Sequence, residues 1–486
     1  MKSLGRHARQ ATVWAVLLLS ALAALTLALA AESAEPVAPP FGTAQHPFSA
    51  QSPWNARPVA PVFGSDEIPR SKYFPNLAEG TWSTGVFVAR PDDPPATIVG
   101  LPGRPLWDHD LQQAWPSLVI PRWPADVVPA SGADGHAEII DPVSGIVHSF
   151  YKLRWVDGQW QSAQYAWTRL DGRGWGEPAH FYQGARAVGV PPLGGLIRKH
   201  EVDDGQPVYR HALAMSLTFN ALSPDPTYIF PATAADKGAE KSNSGRIPEG
   251  ALLMLPPDFD VERIGNERLR KVARTLQVYG AYVVDRNDGA PFSIYVENGT
   301  GFGLHKPVWN PTVARELDRI RGGLRQVVAA NGWLDGHGQP MQLQRNLNLL
   351  SLRGPWVAAD RSGAQGRFDT WAQAVVFEAG SPAGVLRNEK GIGLRPVNWA
   401  LPQPGQRYRL TSHVGGKGSL RLQFFQDRSQ RVKLFDSGEL RDGQSAVFTW
   451  PQGPHVLVLN ARRDEQPGSS SVGASLVADE PPEHAR

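Results

Sequence analysis

The 486-residue chain contains no cysteine. This absence excludes a disulfide framework, a cysteine-ligated zinc or iron–sulfur site, a cysteine nucleophile and a lipid anchor on cysteine. The sequence also lacks a Gly-x-Ser-x-Gly elbow, a His-Glu-x-x-His helix, a P-loop and a glycine fingerprint for a dinucleotide. No group of residues has the spacing of metal ligands, because Asp108, His109 and Asp110 are adjacent in sequence. The sequence therefore predicts neither a cofactor nor a metal ion.

Excess charge of one sign is also missing from most of the chain. Lysine and arginine exceed aspartate and glutamate by three, and Lys2, Arg6 and Arg9 account for that difference. The remaining chain is neutral and has no long block of basic residues. Because the electrostatic footprint of a nucleic-acid-binding protein is absent, DNA and RNA are excluded as partners.

Apart from one segment at the N-terminus, no stretch is long and apolar enough to span a bilayer. After the three basic residues comes an apolar run over residues 11–31, ending in Ala28-Leu29-Ala30. This order favours a cleaved signal peptide over residues 1–31. An uncleaved membrane anchor is the alternative, because about 20 apolar residues can cross a bilayer. Either way, we expect a secreted or periplasmic protein that contacts the membrane only through this segment.

The composition favours strands and turns over helices, with 49 glycines and 43 prolines. Residues 32–60 are predicted to be an extended lead-in, and residues 61–354 a main β-rich domain. Short apolar-polar alternations indicate an antiparallel jelly-roll or sandwich-like fold. Asp157-Gly158 is a strong hairpin signal, with Trp155 and Trp160 opposite each other. The fold class predicted is mainly β with a few packed helices.

Two helices and a C-terminal module complete the predicted organisation. Apolar stripes at helical spacing predict helices near residues 261–279 and 312–330, the first ended by Gly280 and the second capped by Thr312. Residues 355–480 contain five short strands separated by turn residues, which predicts a separate β-sandwich. The oligomeric state is left open.

Sixteen tryptophans make the chain rich in indole side chains. Indole rings stack on the flat C–H faces of sugars and keep an N–H free for hydroxyl groups. We therefore expect a polysaccharide or oligosaccharide partner, with Trp155, Trp160, Trp167 and Trp175 as binding residues. Core packing is the competing explanation for about two thirds of the tryptophans.

The segment from residue 184 to residue 211 contains the best candidate for a catalytic constellation. Arg198, Glu201 and His211 come from one loop-strand unit, and Arg186 could bind a sugar carboxylate. The strand at residues 136–141 adds Glu138 and Asp141 as candidate acids or bases, and Glu177 and His180 are similar candidates. Non-catalytic explanations compete for four of these residues. Arg198 and Glu201 could form a surface ion pair, His211 could have a structural role, and Asp141 could start a turn.

The same segment carries a family resemblance. The pattern Gly-x-Arg-Ala-x-Gly, Leu-x-Gly-Leu-Ile-Arg-x-x-Glu and His-Ala-Leu over residues 184–213, with Leu-Gln-x-Tyr-Gly-Ala-Tyr-Val-Val-Asp at 276–285, resembles a group of secreted bacterial proteins. That group has no assigned activity. The resemblance spans residues 50–300 and implies an exported bacterial protein, and it transfers no catalytic role.

Three functions remain open from the sequence. A glycoside hydrolase needs two carboxylates across the sugar bond, for which Glu138, Asp141, Glu177 and Glu201 are available. A polysaccharide lyase needs a base such as His211 or a tyrosine, with an arginine beside the uronate. The non-catalytic alternative is a polysaccharide-binding or structural envelope protein. An enzyme is favoured, because two β modules and a helical insertion exceed what simple binding requires.

Overall fold

The computed structural model describes residues 39–479 except 112, 177–181, 306–307, 346 and 390–396. The expected signal peptide and the candidates Glu177 and His180 lie outside the described residues. The chain is mainly β, with 35% of residues in strands and 8% in helices. This confirms the predicted fold class. Within the described ranges, no helix is long and apolar enough to cross a membrane.

Eighteen strands precede the C-terminal module in the described chain. They are β1 Arg57–Phe63, β2 Asn76–Ala78, β3 Gly85–Val88, β4 Ala96–Val99, β5 Leu106–Asp108, β6 Gln113–Trp115, β7 Ser117–Ile120, β8 Ala137–Asp141, β9 Ile146–Tyr151, β10 Arg154–Val156, β11 Gln159–Gln161, β12 Gln164–Arg169, β13 Leu213–Thr218, β14 Leu252–Met254, β15 Ala281–Asn287, β16 Phe292–Tyr295, β17 Arg325–Leu334 and β18 Pro340–Met341.

These strands form three sheets. An eight-stranded sheet has the order β1-β17-β14-β15-β13-β16-β2, with β18 on β17. A six-stranded sheet has the order β3-β8-β9-β12-β5-β6, and a four-stranded sheet the order β10-β11-β4-β7. Most pairs are antiparallel. Five of those described are parallel, β13 with β15 among them.

Alternating side chains allow the eight-stranded sheet to have two buried faces. Leu213 and Met215 of β13 pack with the helices, while Ala214, in the same strand, packs toward the six-stranded sheet. Successive residues of a strand point to opposite faces, so both apolar sets are satisfied. A third apolar cluster lies between the six- and four-stranded sheets.

The described chain has three α-helices, α1 Ala239–Ser242, α2 Glu267–Val278 and α3 Pro311–Gly323, and 3-10 turns at Lys199–Glu201 and Val261–Arg263. The first predicted helix therefore starts as a 3-10 turn, and α2 itself begins after Asn266. The Asn266 side chain caps α2 by accepting a hydrogen bond of 3.0 Å from Leu269 N. As predicted, the chain leaves this helix at Gly280, whose φ is +76°.

The second predicted helix is wrong in extent and in its cap. Asn310 caps α3 rather than Thr312, and the helix ends at Gly323 instead of continuing to residue 330. The adjacent Gly322 and Gly323 disfavour further helix. Residues 325–334 form β17, which pairs with β1 and β14.

The C-terminal module is a β-sandwich of ten strands. They are β19 Trp356–Ala358, β20 Arg367–Asp369, β21 Ala374–Phe377, β22 Gly384–Asn388, β23 Arg407–Gly415, β24 Gly418–Phe425, β25 Lys433–Asp436, β26 Ser445–Thr449, β27 Val456–Arg463 and β28 Ser470–Ala478. Two five-stranded sheets, β19-β22-β27-β24-β25 and β20-β21-β28-β23-β26, enclose one apolar core. Residues 370–373 form a turn between β20 and β21, with Gln373 at a φ of +50°.

A buried polar contact joins the sandwich to the main β region. Asp110 accepts hydrogen bonds from Arg353 Nε at 3.0 Å and from Thr370 Oγ1 at 2.8 Å. Thr370 Oγ1 also accepts one of 2.8 Å from Trp167 Nε1. The sandwich is therefore held against the six-stranded sheet by buried hydrogen-bonding groups, and each of them has its partner in the other part.

Candidate functional site

Arg198, Glu201 and His211, predicted to converge, do lie together. Glu201 Oε2 accepts a hydrogen bond of 2.9 Å from the Arg198 backbone N–H and lies 3.2 Å from His211 Nε2. The Arg198 side chain pairs with Glu297, Nε to Oε2 at 2.8 Å. The sequence thus identified a real charged cluster.

The surroundings of this cluster favour a structural role. The cavity beside it has a volume of about 20 Å³, which is room for roughly one water molecule and not for a sugar ring. Arg198 Nη1 donates to the Ala44 carbonyl at 3.0 Å, which ties this side chain to the loop around Ala44. Burial alone would raise the pKa of Glu201, but the His211 charge lowers it to about 2.

Asp141 and Glu138 lie on β8 and have different environments. Asp141 forms a two-point ion pair with Arg122, with Nε to Oδ1 at 2.9 Å and Nη2 to Oδ2 at 2.7 Å. It also accepts from Val143 N at 3.0 Å, so it starts the β8–β9 turn and is not a free acid. Glu138 is fully buried, and burial raises its pKa to about 8.

The four tryptophans predicted to bind substrate separate into two groups. Trp175 is fully buried and stacks on Trp54 with ring centroids 5.3 Å apart, and Trp167 is buried at the sandwich contact. Both are core residues and offer no face to a ligand. Trp155 is 58% exposed, and the half-buried Trp160 supports it across the hairpin. The predicted hairpin at Asp157-Gly158 is confirmed.

A second polar cluster centres on Asp285, near the end of β15. Arg186 Nη1 donates a hydrogen bond of 2.9 Å to Asp285 Oδ2, and Tyr295 OH donates one of 3.2 Å to the same oxygen. The Arg186 guanidinium lies 3.6 Å from the centroid of the Tyr295 ring. The Arg186 side chain is buried, whereas the Asp285 side chain is 23% exposed. The buried arginine therefore holds a carboxylate that solvent can reach.

Loops that lead into the six-stranded and eight-stranded sheets add further carboxyl groups. Asp236 Oδ2 accepts from Arg286 N at 3.0 Å, and Glu249 Oε2 accepts from Asp236 N at 3.0 Å. Glu249 is fully buried, while Asp236 and Asp134 are half-buried. We call Asp134, Asp236, Glu249 and Asp285, with Arg186 and Tyr295, the acidic cluster.

Burial and mutual repulsion raise the pKa values in this cluster. Burial is the main cause for Asp285, and the charges of Asp236 and Asp134 add to it, while Arg186 opposes them; the pKa is raised to about 6. Burial and the charges of Asp236 and then Asp285 raise the pKa of Glu249 well above its usual range, and burial also raises the pKa of Asp236. Carboxyl groups with raised pKa values, where a ligand can reach them, are candidates for proton transfer.

A buried layer lies behind the acidic cluster. Burial and the Arg186 charge lower the pKa of His136 to about 3, so the ring is neutral. Glu138 Oε2 accepts from Ser149 Oγ at 2.9 Å, while Glu138 Oε1 and the Nε and Nη2 atoms of Arg186 have no hydrogen-bond partner among the residues that the structure describes. Buried polar atoms of this kind are usually bridged by an ordered water.

Sequence reasoning identified part of the acidic cluster. It named Arg186 and missed Asp134, Asp236, Glu249, Asp285 and Tyr295. A signal for Asp285 was present, because this aspartate follows the fully buried strand residues 281–284. The three other carboxylates come from loops whose positions depend on the tertiary fold. Among the described residues, no three His, Asp or Glu side chains are grouped to hold a metal ion.

Comparisons with known proteins leave the chain without a family. No family model matches it, and neither does any curated protein. Solved structures with partial similarity include accessory secretory protein 1, 2 and 3 of Streptococcus pneumoniae, at 11% identity over 27% of this chain and 96% of that one, with a TM-score of 0.20. A structure titled "CBM4 structure and function" has 20% identity over 25% and 92%, with a TM-score of 0.16. TmCBM61 bound to β-1,4-galactotriose has 12% identity over 26% and 90%, with a TM-score of 0.14. TM-scores this low carry no inference about this chain.

Proposed function

We propose that the protein is an exported carbohydrate-active enzyme that hydrolyses glycosidic bonds at the acidic cluster. The observation that carries the proposal is Asp285, a partly exposed carboxyl group held by Arg186 and Tyr295, with Asp236 near enough to raise its pKa. Glycoside hydrolysis needs two carboxyl groups in different protonation states on one ligand-accessible surface. Export follows from the leader pattern and from the resemblance to secreted bacterial proteins.

The environments of the two carboxyl groups suggest their roles. Arg186 and Tyr295 both donate to Asp285, which favours its ionised form, so Asp285 acts as the base or nucleophile. Asp236 lies beside the buried Glu249, and burial and the Asp236 charge raise the pKa of Glu249 well above its usual range, so Glu249 holds the shared proton. Asp236 then receives this proton from Glu249 and passes a proton to the leaving oxygen.

The two alternative functions, a polysaccharide lyase and a non-catalytic binding protein, receive less support. A lyase would need a base able to ionise near neutral pH, but burial raises the pKa of Tyr151 to about 12 and raises that of Tyr295 as well. The His136 ring, although neutral, is fully buried in protein. A non-catalytic binding protein would account for the exposed Trp155 but not for a buried arginine beside several repelling carboxyl groups.

The test is incubation of purified protein with a polysaccharide panel, scored separately for reducing ends and for absorbance of unsaturated products. New reducing ends without that absorbance are expected for a hydrolase. Unsaturated products would establish a lyase instead. Retention of the protein on a polysaccharide without any product would favour the binding alternative.

A further inference from the structure

The loop at residues 131–135, which carries Asp134, contacts the residues that precede two exposed tryptophans. Gly132 N donates to the Thr81 carbonyl at 3.1 Å, and the next residue, Trp82, is 57% exposed. Arg154 Nη2 donates to the Gly132 and Ala133 carbonyls at 3.1 and 3.2 Å, and the next residue, Trp155, is 58% exposed. Each tryptophan therefore follows a residue that is bonded to the loop supplying one carboxylate of the acidic cluster.

The turn that presents Trp82 is rigidly anchored. Gly80 N donates to Asn298 Oδ1 at 2.6 Å, and Ser83 Oγ donates to the Val296 carbonyl at 2.6 Å. Ser83 is fully buried, so the turn is fixed from below while the indole of Trp82 points outward. A Cβ at Gly132 would lie 2.2 Å from the Thr81 carbonyl oxygen, so the two loops can approach this closely only because residue 132 is glycine.

Trp155 is fixed by other aromatic side chains. Its ring centroid lies 5.0 Å from that of Trp160, and Trp160 lies 4.9 Å from Trp123, which is buried. This series of three indoles continues from the core to the surface. An exposed ring with so little freedom loses little entropy when a ligand stacks on it.

The loop near the two tryptophans presents polar groups. Ser131 is exposed, Asp134 is half-buried, and the Arg154 side chain donates to the Gly132 and Ala133 carbonyls. A protein partner would be expected to meet a continuous apolar patch, whereas separate indoles among polar groups match alternating C–H faces and hydroxyl groups. In the described chain, neither indole nitrogen is engaged in a hydrogen bond, so both can donate to hydroxyl groups.

We propose that Trp82 and Trp155 form an aromatic subsite that binds two sugar rings of one glycan chain, near the loop at residues 131–135. The proposal rests on the proposed function and extends it by naming the substrate class, a polymer rather than a disaccharide.

The test is affinity gel electrophoresis of the full protein carrying Asp285→Asn, which separates binding from cleavage. The gels contain arabinoxylan, galactan, dextran or alginate as probes. Trp82→Ala and Trp155→Ala are each added to this background, with Trp309→Ala as the matched control, because Trp309 is 55% exposed and lies against Phe74 and His305 instead. Circular dichroism melts verify that every variant is folded.

We expect one probe to retard the Asp285→Asn protein, each subsite change to weaken that retardation about tenfold, and Trp309→Ala to leave it unchanged. This result would support the subsite even if the protein with Asp285 intact cleaved no polysaccharide, in which case only the hydrolase proposal would fail. Retardation that survives both subsite changes, or is lost equally in the Trp309 control, would overturn the subsite. So would the absence of retardation by every probe.

Discussion

Arg186 and Asp285 form an ion pair in which the arginine is buried and the aspartate is partly exposed, with Nη1 2.9 Å from Oδ2. Arg186 comes from the glycine-rich loop at residues 184–195, and Asp285 from the central strand β15. The Tyr295 ring lies against the guanidinium and its hydroxyl group reaches the same carboxylate oxygen. Loop and sheet are thus joined at the carboxyl group to which we assign the chemistry.

The charge of Arg186 is expected to set the pH dependence of activity. It lowers the pKa of Asp285 against the effect of burial, so Arg186→Gln should raise that pKa and move the acidic limb of the kcat/KM profile upward by about one pH unit. Arg186→Lys retains the charge and should shift the limb less. An acidic limb at the same pH in Arg186→Gln would show that Asp285 is not the titrating group.

Glu138 should make the folded protein less stable as pH rises. Its pKa is raised from 4.5 to about 8 by burial, so between these values the folded state holds a proton that the unfolded state has released. The free energy of unfolding of the natural protein should therefore fall through this window relative to that of Glu138→Gln, by up to about 1.4 kcal/mol per pH unit. Urea unfolding of both proteins at several pH values measures this. Parallel pH curves would contradict the assignment.

His211 is expected to stabilise the fold and to leave catalysis unaffected. Burial lowers its pKa, but the Glu201 carboxylate outweighs burial and the net pKa is raised above 6.5. Its stabilising effect should be fully present below pH 6.5 and disappear as pH rises through the folded-state value. His211→Gln should therefore destabilise the protein more at pH 6 than at pH 9, as measured by urea unfolding.

The matched control for His211 is the exposed His413→Gln, which should change stability at neither pH. Activity per folded molecule should survive in His211→Gln. A loss of turnover with unchanged stability would instead support a catalytic role for His211.

Local signals in the sequence predicted local structure well. Asp157-Gly158 predicted a hairpin because both residues adopt positive φ there, +50° and +76°, as its two-residue turn requires. The helix predicted to residue 330 was wrong after Gly323, because the apolar residues that followed belong to β17 and face sheet neighbours distant in sequence. Apolar spacing alone does not distinguish these outcomes over a few residues.

The candidate site depended on long-range contacts, which explains why it was only partly predicted. Arg198, Glu201 and His211 are close in sequence and were correctly expected to meet. Arg186 and Asp285 are separated by 99 positions, and their contact exists only once the loop lies against the sheet. Burial also separates the tryptophans, since Trp155 and Trp175 look equivalent in sequence but only Trp155 is exposed.

The most direct test of the account is kcat/KM of Asp285→Asn on the polysaccharide that the natural protein cleaves. Asp288→Asn is the matched control, because Asp288 lies three residues further along and is exposed. We predict that Asp285→Asn lowers kcat/KM by at least about 100-fold with the fold intact by circular dichroism, while Asp288→Asn has no effect. If Asp285→Asn retained the activity of the Asp288→Asn control, the acidic cluster would not be the catalytic site.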